Sequence, residues 1–94
     1  MQWIELIQLR SADINRKLLE SKLQRLIDEV NRKRKRKAIM AYSRVLIDTD
    51  FCIHIFHDSK KAETGGSRLG LHLVAALKEF GLVDHSIWRE MNSK

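Results

Sequence analysis

The stretch from Ala38 to His57 constrains this chain most. It holds two runs rich in β-branched and aromatic residues, 38–47 and 51–57, separated by Asp48-Thr49-Asp50. Such runs around a turn of this chemistry predict an antiparallel hairpin. A three-residue loop over 48–50 pairs Ile47 with Phe51, Val45 with Ile53 and Ser43 with Ile55, which gathers an almost wholly apolar face. The opposite face then carries Leu46 with Cys52, Arg44 with His54, and Tyr42 with Phe56. A two-residue loop would mix the faces. With three, Asp50 takes the left-handed position such loops need.

The flanking segments extend the pattern. Residues 3–9 are short and mostly apolar and admit a helix start or a buried strand. Ser11 and Asp13 offer N-caps, and Leu19, Leu23, Leu26 and Val30 then recur at helical spacing. This predicts an amphipathic helix of about 18 residues, which favours a strand before it. Residues 60–66 end in Gly65-Gly66 and read as a loop. Ser67 caps a second helix whose apolar stripe is Leu69, Leu73, Ala76, Leu77 and Phe80, with Gly70 at its edge. Gly81 sits where a C-cap glycine belongs, with Leu82 as its apolar partner. Residues 83–90 form a last strand.

The order is β-α-β-β-α-β, an α+β ferredoxin-like arrangement with one antiparallel sheet and two helices on one face. Ninety-four residues make this a single domain spanning 1–94. The uncovered sheet face would carry Tyr42, Leu46, Cys52 and Phe56, too apolar for water. A second copy is the economical cover.

Gly65-Gly66-Ser67-Arg68-Leu69-Gly70-Leu71 and the ending Phe80 to Trp88 look like motifs of an uncharacterised microbial family. With the element order, they make the chain resemble the dimeric α/β-barrel proteins, of the antibiotic-biosynthesis-monooxygenase-like and stress-responsive types. The resemblance spans nearly the whole chain. It implies two ferredoxin-like subunits packed sheet to sheet around a pocket, possible monooxygenase-like activity, and neither a defined cofactor nor a catalytic residue.

Composition narrows the setting. The chain is 44% hydrophobic and 32% charged, which suits a globular domain, and proline is absent. No apolar run approaches the ~20 residues of a membrane helix, and the opening residues lack a signal peptide's basic start. One cysteine, Cys52, excludes an internal disulfide and a cysteine zinc cluster, so a reducing, cytoplasmic setting is expected. The net charge of +6 is uneven: residues 1–47 hold 12 Lys/Arg against 5 Asp/Glu, and the rest 6 against 7. The run Arg32 to Lys37 attracts anions or, more simply, is a solvated helix end complementing the dipole.

His54 is the leading candidate for chemistry. Hairpin parity puts it mid-strand on the enclosed face beside Arg44, whose cation favours neutral imidazole, a base or metal ligand. A packed interface histidine is the simpler alternative. Glu5, mid-strand, reads as a general base, as an anion to Arg44, or as part of an interfacial salt bridge. His85 faces either the pocket or the helices. Tyr42, Cys52, Phe56, His85 and Trp88 are the expected pocket lining. Cys52 reads as a small hydrophobe, and Trp3 and Trp88 as core, interface or a platform for a flat ligand. His57 is expected exposed at a strand end and His72 at a helix boundary. His54 and His57 lie on opposite strand faces, so no metal site is expected. Gly65 to Arg68 suits an anion-binding helix start but lacks the P-loop lysine, and capping alone explains it.

Three functions compete. The first is a homodimer with a small-molecule pocket between the sheets. The second is a ligand-free structural or regulatory dimer. The third is a basic RNA-binding module, which the third strand disfavours because it lacks the basic-Gly-aromatic pattern of such domains.

Overall fold

A computed structural model describes residues 2–12, 16–34, 38–59 and 61–91. The Asp13 cap, the Lys35 to Lys37 end of the basic run and Lys60 lie outside these residues. The elements run β1 (Gln2–Ser11), α1 (Arg16–Arg34), β2 (Ile39–Ser43), β3 (Asp50–Asp58), α2 (Arg68–Leu77) and β4 (Gly81–Arg89). The four strands form one antiparallel sheet in the order β2-β3-β1-β4. This is a broadly ferredoxin-like α+β arrangement. Among the described residues no helix is long and apolar enough to cross a membrane.

One sheet face is buried under the helices. Odd-numbered strand residues point there: Trp3, Ile7 and Leu9 from β1, Ile39 from β2, and Phe51, Ile53 and Ile55 from β3. α1 meets them with Leu19, Leu23 and Ile27, and α2 with Leu73 and Leu77. The 4-residue steps along each helix keep these side chains on one stripe. α1 lies over β2, while α2 lies over β1 and β4. Each fully buried Ile or Leu contributes roughly 1.5–3 kcal/mol of transfer free energy, so this layer carries the stability.

The hairpin register differs from the sequence expectation. Ser43 pairs with Phe51, Ala41 with Ile53 and Ile39 with Ile55, a slip of four residues. Residues 44–49 form the connection, with Leu46 at φ 67°. The slip is even, so every strand residue keeps its face. The anchor is Asn31 of α1. Its Oδ1 accepts the N–H groups of Ala38 (2.8 Å) and Ile39 (3.0 Å), and its Nδ2 donates to Ile39 O (3.1 Å). That ties the start of β2 to the helix and sends Ile39, rather than Val45 or Ile47, into the core. Leu46 therefore leaves the sheet face and joins the turn.

The ends of α2 also differ. The helix stops at Leu77, capped at Lys78, and Gly81 opens β4 instead of closing the helix, leaving Leu82 exposed.

Candidate functional site

Two groups of side chains stand out, on opposite faces of the sheet. The first is a polar cluster under α2. Alternation along β1 sends Glu5 to the helix face among Trp3, Ile7 and Leu9, and it is 0% exposed. Its Oε1 accepts the Ser67 N–H (2.9 Å) and meets His85 Nε2 at 2.9 Å. Its Oε2 meets His57 Nε2 at 2.6 Å and accepts the Ser67 hydroxyl. An ionised carboxylate only accepts, so each imidazole donates through Nε2–H. Ser67 is the α2 N-cap, and its Oγ also accepts Gly70 N–H at 3.0 Å. The helix start therefore does hold an anion, and that anion is the chain's own Glu5.

The glycines make this approach possible. A Cβ at Gly70 would fall on the Glu5 carboxylate, and one at Gly66 on the His85 ring. Gly66 also sits at φ 96°, in the left-handed region that other residues rarely adopt. Trp3 stacks on His57 with centroids 3.9 Å apart, and its Nε1 donates to Ser59 Oγ at 2.9 Å.

His57 lies opposite Trp3 and His85 opposite Ile7, so the two rings reach Glu5 from opposite ends. They take different oxygens of its carboxylate, and among the described residues no group of three or more His, Cys, Asp or Glu is placed to hold a metal ion. No described buried side-chain nitrogen or oxygen lacks a hydrogen-bond partner. The cluster is thus a closed, satisfied network of the kind that fixes a unique core arrangement.

Burial opposes ionisation of Glu5. The hydrogen bonds from Ser67, His57 and His85 outweigh it and hold the carboxyl below its ordinary value of 4.5. A lowered folded-state pKa contributes stability above the unfolded value, and that stability is lost as pH falls through the folded value. Urea midpoints should therefore hold above about pH 5 and drop below 4.5. Glu5→Gln should flatten the drop relative to wild type; parallel curves for the two proteins would refute the assignment.

The second group is the open face. Even-numbered strand residues point there, among them Ile4, Leu6, Met40, Tyr42, Cys52, His54, Phe56, Leu82 and Trp88. The His54 ring lies tilted against Tyr42 (5.0 Å) and edge-on to Phe56 (6.1 Å). Burial raises the Cys52 thiol pKa, which keeps it an unreactive small hydrophobe at neutral pH. At one end, Tyr42, Cys52, Leu82 and Asp84 border a groove of about 560 Å³.

These positions revise the sequence expectations. Arg44 is not beside His54; the four-residue slip puts Met40 there. Arg44 instead bonds Asp50 at 3.0 Å, and Arg10 bonds the same carboxylate at 3.2 Å. These cations hold the half-buried Asp50 below its ordinary pKa, Arg10 foremost. Glu5 partners neither Arg44 nor an interface. His85 faces the helices and so leaves the pocket lining, whereas Tyr42, Cys52, Phe56 and Trp88 share the open face. His57 is not an exposed terminus; its side chain is 13% exposed. The signal for Glu5 was present in β1: it interrupts the alternating apolar set Trp3, Ile7, Leu9 that must face the helices. Nothing local marked His57 as its partner.

The fold and these two groups define a small α+β protein with a polar lock under one helix and an uncovered apolar sheet face. No family model matches the chain, and no similar protein was found among the curated proteins or the solved structures.

Proposed function

We propose that the chain works as a homodimer whose open sheet faces pack together and enclose a small-molecule pocket around His54, Tyr42, Cys52, Phe56 and Trp88. The carrying observation is the character of that face. Tyr42, Phe56, Leu82 and Trp88 are all exposed on it in the single chain, with Ile4, Leu6 and Met40 between them. Large aromatic and aliphatic side chains gathered on one exposed face mark an interaction surface.

Charge supports a second copy over a polyanion. Of 18 Lys and Arg in a chain of net charge +6, Arg10 is the only one at an open-face strand position among the described residues. A nucleic-acid platform would concentrate cations there. The monooxygenase-like reading belongs to this pocket and rests on the ferredoxin-like arrangement, since the Glu5 carboxylate is committed to the other face. A reducing cytoplasm suits the half-buried Cys52.

Light scattering at micromolar concentration should give twice the chain mass. Phe56→Asp, a half-exposed position in the single chain, should give a folded monomer. A wild-type monomer would overturn the reading. An absorption spectrum of the purified dimer would identify a bound chromophore.

A further inference from the structure

The groove at the turn end of the open face differs in chemistry from the rest of that face. Cross-strand register aligns Tyr42, Cys52, Gln8 and Asp84 in one row, and Asp50 with Arg10 in the next row towards the turn. Arg44, just past β2, joins that second row through its N–H bond to Asp50 O. These residues line the groove, whose volume of about 560 Å³ is within the range of small-molecule sites.

The two arginines are held as a pair. Asp50 Oδ1 accepts Arg10 Nε–H (3.2 Å) and the Thr49 hydroxyl (3.0 Å). Its Oδ2 accepts Arg10 Nη2–H (3.5 Å) and Arg44 Nη1–H (3.0 Å). The Asp50 side chain is 15% exposed, whereas those of Arg10 and Arg44 are 66% and 57% exposed. A half-buried anion therefore anchors two guanidinium groups that remain largely in water. Such a preset fork recognises a planar carboxylate at low entropic cost. Asp50 and Asp84 in the same groove oppose a phosphate dianion and leave room for a single negative charge. Successive rows lie about 6.6 Å apart along the strands. A ligand whose carboxylate meets the arginines thus places its body over Cys52, beside the half-exposed Tyr42 ring.

We propose that this groove binds a small aromatic carboxylate, with the carboxylate on Arg10 and Arg44 and the ring against Tyr42. This names a ligand class for one end of the pocket proposed above. It rests on that reading for its enclosure, although the groove is complete in one chain.

The test is isothermal titration of benzoate and cinnamate into the wild-type protein, beside the uncharged analogues benzamide and cinnamamide. At least one acid should saturate with Kd at or below ~1 mM, and its amide should bind at least ~10-fold more weakly. Arg44→Gln should weaken the acid by a similar factor. Asp50 keeps its bonds from Arg10 in that variant, so it should melt close to wild type. Arg25→Gln, exposed on α1, should leave binding unchanged. No saturation by either acid below ~10 mM overturns the site. Equal binding of acid and amide overturns it too, as does inorganic phosphate binding as tightly with the same dependence on Arg44. Light scattering separates this site from the dimer. A dimer without acid binding overturns the carboxylate site alone, and a monomer that binds the acids overturns the enclosing dimer alone.

Discussion

Glu5→Leu should cost about 4 kcal/mol or more and leave the chain largely unfolded at ambient temperature. Leucine offers no acceptor, so every polar partner of the carboxylate is left unmatched. Four donors converge on the carboxylate: the Ser67 N–H, the Ser67 hydroxyl, and the Nε2–H groups of His57 and His85. Each buried donor left unmatched costs roughly 1–3 kcal/mol, against a total stability of about 5–15 kcal/mol. Glu5→Gln should cost only about half as much. Its carbonyl can keep the Ser67 N–H and His85. Its amide can donate to Ser67 Oγ and to His57 in the other tautomer. Urea denaturation of the two variants checks the ordering. Equal losses would mean that charge alone, rather than donor matching, sets the cost.

Gly70→Ala should destabilise by about 2–3 kcal/mol, although the same change in an exposed helix normally gains about 1 kcal/mol. The added Cβ would fall on the Glu5 carboxylate, which four donors hold in place and which cannot withdraw without losing them. Gly65→Ala, with nothing within 4 Å of the new methyl, should stay within ~0.5 kcal/mol of wild type. Thermal melts of the pair decide it. A neutral Gly70→Ala would mean that the helix start rides further from the sheet.

Much of this architecture was readable before any coordinates. Helical spacing of Leu19, Leu23 and Leu26 marked α1. Alternation in 51–57 marked β3 and separated Cys52, His54 and Phe56 from Ile53 and Ile55. The near-symmetric order of elements implied the sheet and its uncovered face. The register of the hairpin was not readable, because alternation has a period of two and any even slip leaves it intact. Asn31, in the last turns of α1 and outside the hairpin itself, chose among the allowed registers, and with that choice Arg44 left His54 and Leu46 became a turn tip.

Local chemistry in the sequence therefore determined the elements, their order and the face each residue of β2 and β3 takes, since those follow from side-chain periodicity within a few neighbours; the facing of β1 and β4 did not follow from it. Tertiary structure decided which residues meet. Glu5, His57, Ser67 and His85 are scattered over 81 positions, and no local pattern links them. They converge because β3 and β4 flank β1 and because α2, relieved of side chains at Gly66 and Gly70, can set its N-terminus directly on a buried carboxylate.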